Sequence, residues 1–408
     1  MAARPAGPTN RDPEVLVVGG GIAGLAAALL LARIGRRVVL LERNPHPAEV
    51  GAALMLQPNG LAVMEALGLG DSIRASGRQL QQAEFRNHRG EVISRSTMPD
   101  FGGGLDHYVA LLRTDLQAAL LAAVAAEPAI STRFGVRAVA VDRAGSVRID
   151  TGSGQETLRA ELVLGADGLG STVRGGGDFG ATITDNQTTY VRGLVAGSGS
   201  AHDSEFAEYW TPLGAFGIAT LTPDTTYFYA AAYRGAAAGA MERRDLGGFA
   251  EAWRATLPLA GATLHQVGDV ADLLVNGVRP VRCDRWVDGR LVLIGDAAHA
   301  MAPNLGQGAN SALVDAAVLA EELAGSTSPE QAVGRYETRR RGPVTRVQST
   351  ADNMARMSGL SGSRQIAVRD AVLRTAGRSK RLLGSQIRRA QQEDPLTLRT
   401  ALKRLIAG

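Results

Sequence analysis

The stretch Leu291-Val-Leu-Ile-Gly-Asp-Ala-Ala-His-Ala-Met-Ala-Pro-Asn-Leu-Gly-Gln-Gly-Ala-Asn310 decides how this chain folds. It opens on an apolar run of the kind a buried parallel strand requires. The run stops at Gly295, and the carboxylate of Asp296 follows at the strand's C-terminal end. Open α/β sheets bind their ligands at that end. A loop with Gly306 and Gly308 on either side of Gln307 comes next, then a helical pattern from Asn310 to Leu323 closed by Gly325. Glycines ahead of a helix let backbone N–H groups approach a flat or anionic ligand. A carboxylate able to accept from sugar hydroxyls, a donor-rich loop and a helix start at one point suit a large polar cofactor.

A second stretch, near the N-terminus, has the same logic. Glu14-Val-Leu-Val-Val18 reads as a short buried strand, Gly19-Gly-Gly21-Ile-Ala-Gly24 as a tight turn, and the Ala/Leu run to Ile34 as a helix ended by Gly35. Arg37-Val-Val-Leu-Leu41 is the next strand, and Glu42 stands at its end, about twenty residues after the turn, the spacing of the dinucleotide fingerprint. Gly19 permits the turn, Gly21 lets the backbone approach a pyrophosphate, and Gly24 allows close helix–strand packing. Glu42 is placed to hold a ribose. The fingerprint alone does not separate FAD from NAD.

Composition narrows the classes. The 408 residues are 45% hydrophobic, ample for a core, yet only 4% aromatic. The single cysteine, Cys283, excludes an internal disulfide and fits a reducing cytoplasm. Its setting, Val-Arg-Cys-Asp-Arg, shows no catalytic-thiol arrangement. His299 has no second histidine at ligand spacing, so no metal site is expected. The apolar run Val15 to Ile34 is broken by glycines, and no other stretch approaches the ~20 apolar residues of a membrane span. The net charge of +4 is uneven: from Val333 onward there are 17 basic and 5 acidic residues. Such a tail suits nucleic acid, a membrane, an acidic partner or a solvated helix face, and the solvated face is the ordinary case. No nucleic-acid motif accompanies it.

Gly295-Asp296-Ala-Ala-His-Ala-Met-Ala-Pro303-Asn-Leu-Gly-Gln-Gly308 resembles the second flavin motif of the single-component FAD-dependent aromatic hydroxylases, the p-hydroxybenzoate hydroxylase class. Its wording is most similar to the salicylate-hydroxylase, urate-hydroxylase and zeaxanthin-epoxidase-like branch. Gly165-Ala-Asp-Gly-Leu-Gly-Ser-Thr-Val-Arg174 resembles that family's Asp-Gly motif, and Tyr336-Glu-Thr-Arg-Arg-Arg341 its closing helix, with Pro343 next. The resemblance spans about Glu14 to Met357. It departs from the family at Thr220-Leu221, where relatives carry Pro-Leu, and at Val314-Asp315, where they carry Glu-Asp.

The resemblance implies an α/β fold: a Rossmann-like FAD-binding domain with an inserted antiparallel β-sheet substrate domain and a C-terminal helical segment. FAD-binding parts are expected over 12–79, 103–180 and 280–357, substrate-domain parts over 80–102 and 181–279, and C-terminal helices over 358–408. It implies FAD contacts from Gly19, Gly21, Ala23, Gly24, Glu42, Arg43, Ala53, Arg113, Val136, Asp167, Asp296, Pro303, Gly306, Gln307, Gly308, Ala309 and Asn310. Gly51, Ala52 and Ala53 belong to a loop that faces the flavin ring in the family. Arg113 matches an arginine that contacts FAD, ahead of a helix that Thr114 would cap. Asp167 matches a residue that supports both FAD and passage of the nicotinamide cofactor.

Between these motifs the pattern is β-rich. Leu80 to Thr97 alternates as a hairpin around Asn87-His-Arg-Gly90. Strands are expected near 136–142, 146–151, 158–165, 188–194, 205–210, 215–221 and 226–231, with a helix over 249–257. Tyr227 and Tyr229 share one strand face, with Phe228 opposite. Tyr227 matches a pocket tyrosine of some relatives and is the candidate catalytic residue, although packing is the commoner role. Ser363 to Leu405 reads as two or more amphipathic helices.

The function implied is that of an FAD-dependent monooxygenase: NADPH or NADH reduces the flavin, O2 adds to it, and the flavin C4a-hydroperoxide hydroxylates a small phenol-like or polycyclic aromatic. Rival readings are an epoxidase, a Baeyer–Villiger enzyme or a reductase, and a non-enzymatic flavoprotein whose basic tail docks an acidic carrier protein. A halogenase is disfavoured, because no lysine precedes Lys380.

Overall fold

The computed structural model describes residues 13–46, 52–185, 188–197, 205–232 and 235–407. A six-stranded sheet runs in the order Val287–Asp288, Leu291–Leu293, Leu162–Gly165, Val15–Val18, Val38–Glu42, Ile130–Phe134. Every neighbouring pair is parallel except the outer Val287–Asp288 strand. The helix Ile22–Arg33 packs on the helix Gly308–Ala324 against this sheet. Ten residues of the first helix and twelve of the second are buried, so neither shows a polar stripe along its length. That is the expected form of helices enclosed between a sheet and other helices.

The second unit is a seven-stranded sheet in the order Leu274–Gly277, Thr189–Ala196, Thr225–Ala232, Gly214–Thr222, Phe206–Trp210, Gln82–Asn87, Val92–Thr97. It is antiparallel with one exception: Phe206–Trp210 pairs in parallel with Gln82–Asn87. Period-two alternation gives the sheet two different faces. Val191, Ala207, Phe216, Ile218, Phe228 and Ala230 lie on one face and form a core with Phe249 and Trp253 of the helix Leu246–Thr256. The other face is considered below.

Several boundaries differ from the sequence reading. Leu158 lies in a separate strand, Gln155–Arg159, of a three-stranded antiparallel sheet, and the buried parallel strand is only Leu162–Gly165. Ala53, expected in a loop, begins the strand Ala53–Leu56, which pairs with Tyr108–Leu112. The helix Arg113–Ala125 begins one residue before Thr114 and has no side-chain cap. Pro343 lies inside a helix, Pro329–Ser358, which runs through it. The lost backbone donor is outweighed by a buried stripe on both sides, from Tyr336 and Arg340 to Val344, Val347 and Ala351. The tail forms three helices, Ser363–Gly377, Lys380–Ala390 and Pro395–Ala407. The last packs on Pro58–Ala66 with Leu398 and Leu402 buried. Gly51 and residues 1–12 lie outside the described residues. Among the described residues no helix is long and apolar enough to cross a membrane.

Candidate active site

A cavity of about 1700 Å3 runs from the Gly19–Gly21 turn to the open face of the seven-stranded sheet. Ordinary small-molecule pockets reach ~300–1,000 Å3, so there is room for a large cofactor and a second ligand together.

At the first end, Gly19 has φ +109°, and a Cβ there would lie 2.4 Å from the Ala166 carbonyl oxygen. At Gly24 a Cβ would lie 1.8 Å from the Gly19 carbonyl oxygen. Both positions therefore exclude side chains by backbone contact. Gly21 is the opposite case: a Cβ meets nothing within 4 Å, because the position opens on the cavity. Glu42 accepts from Gly20 N–H at 2.7 Å and Asn44 N–H at 2.8 Å, which fixes its carboxylate at the cavity rim. Arg43, Arg113 and Arg137 are exposed and line the same end. Val136 lies between them, its N–H bonded to the Glu42 carbonyl at 3.0 Å.

Asp296 is exposed to the cavity at the start of the short helix Asp296–His299. The turn before it is rigid. Gly295 has φ +56° and donates its N–H to Asp315 Oδ2 at 3.0 Å, and the same carboxylate oxygen lies 2.5 Å from His299 Nε2. Asp315 also accepts from Arg340 Nε at 2.9 Å. Burial raises the Asp315 carboxyl, but His299 and Arg340 outweigh it and hold the pKa down to about 2. His299 is thus a structural residue. Ala23, Ala53, Pro303, Gly306, Gly308 and Ala309 line the cavity, and the N-terminus of the 17-residue helix Gly308–Ala324 opens on it.

Three predicted contacts sit differently. Asn310 is fully buried behind the glycine loop, donating to Met55 and Gly306 carbonyls at 2.9 and 2.8 Å and accepting from Gln57 N–H at 2.9 Å. Gln307 is also fully buried, bonded to Gln57, Asn59 and Gln392. Their side chains hold the loop in shape and do not line the cavity. Asp167 is at the wall, but Ser171 Oγ, Thr172 N–H and Val173 N–H occupy its oxygens. Burial raises its pKa and these bonds oppose the rise. It pins the Asp-Gly turn, while Arg174 reaches across to the Ala297 carbonyl at 2.8 Å.

The other end of the cavity is the open sheet face. One row in register across it is Arg192, Tyr229, Gly217, Glu208, Phe85 and Ser94. A neighbouring row carries Tyr227, Ala219 and Phe206, and another Tyr190 and Trp210. Tyr227 and Tyr229 lie with ring centroids 6.2 Å apart, and Tyr190 and Tyr229 6.4 Å apart. Burial raises the Tyr227 pKa to about 12, so its hydroxyl stays protonated near neutrality. Glu208, Tyr229, Arg192 and Trp210 were not singled out as chemistry in the sequence. The signal was present in Phe206-Ala-Glu-Tyr-Trp210, where alternation puts one carboxylate between two aromatic residues on a single face. The helices Ser363–Gly377 and Lys380–Ala390 close this end through Leu373, Leu383 and Ile387.

The donor set fits FAD: an open glycine turn, a rim carboxylate at Glu42, a second at Asp296, and a helix N-terminus between them. Residues 12–351 match the family described as FAD binding domain. The chain is 31% identical to the 3-amino-4-hydroxybenzoate 2-monooxygenase of Streptomyces cremeus, over 90% of this chain and 92% of that one. It is 30% identical to the aurachin C monooxygenase/isomerase of Stigmatella aurantiaca, over 79% and 84%. Among solved structures, 2-methyl-3-hydroxypyridine-5-carboxylic acid oxygenase superposes with TM-score 0.74 at 26% identity, over 90% of this chain and 97% of that one. Klebsiella pneumoniae HpxO, solved with FAD and uric acid, shares the fold with TM-score 0.78 at 20% identity, over 93% and 96%. The chain belongs to the FAD binding domain family and is an FAD-dependent monooxygenase.

Proposed function

We propose that this enzyme hydroxylates a small phenol-like or polycyclic aromatic, with NADPH or NADH as reductant and O2 as co-substrate. The carrying observation is the continuity of the cavity, which joins the glycine turn and Asp296 to an aromatic sheet face without an intervening wall. We assign the parallel-sheet unit (12–79, 103–180, 280–357) to FAD, and the seven-stranded unit (80–102, 181–279) to the substrate. The C-terminal helices (358–408) close the substrate end.

Bound FAD would supply the redox chemistry, taking a hydride from the nicotinamide and activating O2 for oxygen transfer. The residues present would do the rest. Gly19, Gly21 and the Gly308 helix start would receive the pyrophosphate with backbone donors. Glu42 would accept from the adenosine ribose, and Asp296 from the flavin side chain. Arg43 and Arg113 would offset phosphate charge. Ala52 and Ala53 present small side chains where a flat ring must pass. On the sheet face, Tyr227 would donate a hydrogen bond as a neutral phenol. Leu373, Leu383 and Ile387 would exclude water from the reacting centre.

The test is a substrate screen scored by three quantities together: NAD(P)H oxidised, O2 consumed and hydroxylated product formed. Stoichiometric product with at least one aromatic supports the reading. NAD(P)H oxidation giving only peroxide across the whole screen contradicts it.

A further inference from the structure

Two carboxylates are buried in the seven-stranded sheet, and their surroundings differ. Glu84 is 4% exposed and forms ion pairs with both Arg86 and Arg95. Glu208 is 3% exposed and forms no ion pair among the described residues. Its partners are neutral: Trp210 Nε1–H donates to Oε1 and Tyr229 O–H donates to Oε2. The arrangement is built rather than incidental. Glu208, Gly217 and Tyr229 sit opposite one another on three adjacent strands. A Cβ at Gly217 would lie 2.0 Å from the Tyr229 ring. The glycine therefore lets that ring lie flat across the middle strand and reach Glu208.

A carboxylate has about four acceptor positions, and two are filled here. The group lines the cavity between Phe85, Phe206 and Trp210. A buried charge without a cation is unfavourable unless donors surround it. Donors that the protein omits are ones a ligand can supply.

We propose that Glu208 is the specificity-determining acceptor of the substrate site: it selects an aromatic whose ring edge carries an O–H or N–H, and it orients that edge toward the sheet. Ring ethers, N-methylated rings and carboxylates placed at that edge are rejected, the first two for lack of a donor and the last by like charge. Burial, and Glu208 itself, keep the Tyr229 hydroxyl protonated, so Tyr229 continues to donate to the carboxylate when substrate is bound. Burial also pushes the Glu208 carboxyl upward against the bonds from Tyr229 and Trp210, which a further donor from the ligand relieves.

This inference rests on the sheet end of the cavity being the substrate site. Its test uses FAD-loaded enzyme, reads binding through the flavin absorbance spectrum without turnover, and then scores hydroxylation of the same probes with NAD(P)H and O2. The probes are phenols and N–H heteroaromatics, each matched with its O- or N-methylated form: 2-naphthol with 2-methoxynaphthalene, 4-nitrophenol with 4-nitroanisole, 4-quinolone with its N-methyl form. In the parent enzyme at least one donor probe should bind roughly tenfold or more tightly than its methylated partner, as expected for a hydrogen bond to a charged group. Glu208→Gln should reduce that ratio about tenfold with FAD content unchanged. Tyr229→Phe, which keeps the carboxylate, should retain the ratio or increase it. Absence of discrimination in every pair, or its persistence in Glu208→Gln, overturns the inference. If probes are hydroxylated and Glu208→Gln keeps the ratio, the inference alone fails. If no probe is hydroxylated but the Glu208-dependent ratio is present, the inference holds and the proposed reaction fails.

Discussion

Gln307 donates its side-chain N–H to Gln57 Oε1 at 2.8 Å, across 250 residues of sequence, and so ties the glycine loop to the segment that faces the cavity. The bond belongs to a buried chain of polar groups. Gln57 donates on to the Leu305 carbonyl at 2.7 Å, Asn59 to Gln307 at 3.1 Å, and Gln392 to Gln307 at 3.2 Å. Arg340 donates to Gln392 at 2.6 Å and also holds Asp315, which fixes the Gly295–Asp296 turn. The two ends of the cavity-lining loop are thus set by one network that includes the C-terminal segment.

Replacing Gln307 with Leu should leave the buried Asn59 and Gln57 amides and the half-buried Gln392 amide short of a partner. We expect a loss of about 1–3 kcal/mol in stability, read by urea unfolding of the FAD-loaded protein. An unchanged unfolding midpoint would show that water replaces the amide without cost.

Removing residues from Ser363 onward should abolish a cooperative unfolding transition. Leu398 and Leu402 would leave the core, and Gln391 and Gln392 would leave the amide network. The tail's arginines are partly matched within the chain, by Arg374–Glu91, Arg399–Glu65 and Arg369–Asp370 ion pairs. A truncated protein that keeps FAD and melts cooperatively would instead support a detachable docking segment.

Legibility in the sequence followed the range of each interaction. The Gly19–Gly24 turn, Glu42 and the Asp296–Gly308 motif depend on local backbone geometry, and their place along one cavity is legible in the sequence. The Tyr227/Tyr229 face was readable because alternation is local. The buried side-chain positions of Gln307 and Asn310 are not legible, because their partners, Gln57, Asn59 and Gln392, lie 85 to 253 positions away. Nothing in the sequence marks Gln391 as buried. Glu208 escaped notice because its meaning depends on which of two carboxylates receives arginines, and only the register of the sheet decides that.

Asp315→Asn should cost about 3–5 kcal/mol near neutral pH, because Arg340 would keep its charge, fully buried, without its anion. The pH dependence has a definite sign. The Asp315 pKa falls from an ordinary ~3.9 to about 2 on folding. Its contribution is therefore complete above about pH 4 and is lost as pH falls toward 2. Stability measured across that range should converge for parent and Asp315→Asn protein. A constant gap down to pH 2 would place the proton elsewhere.

Asp296 and Tyr227 should fail in different ways, because they stand at opposite ends of one cavity. Asp296 follows the rigid Gly295 turn and presents its carboxylate to the cofactor end. Among the described residues it has no hydrogen-bond partner of its own, so its acceptors are available to a ligand's hydroxyls. Asp296→Ala should weaken FAD binding by about 1–3 kcal/mol, roughly ten- to a hundredfold, and the protein should be isolated partly without cofactor. Tyr227 is buried in the sheet beside Tyr229, with Phe228 filling the core on the opposite face. Tyr227→Phe preserves shape and removes one neutral donor, a change of about 0.5–1.5 kcal/mol in whatever that hydroxyl holds. FAD content should remain full, while the ratio of hydroxylated product to hydrogen peroxide falls roughly two- to tenfold. Bound FAD, product and peroxide measured on both variants separate the two roles. Full FAD occupancy in Asp296→Ala contradicts its place in the cofactor site, and unchanged coupling in Tyr227→Phe returns that tyrosine to packing.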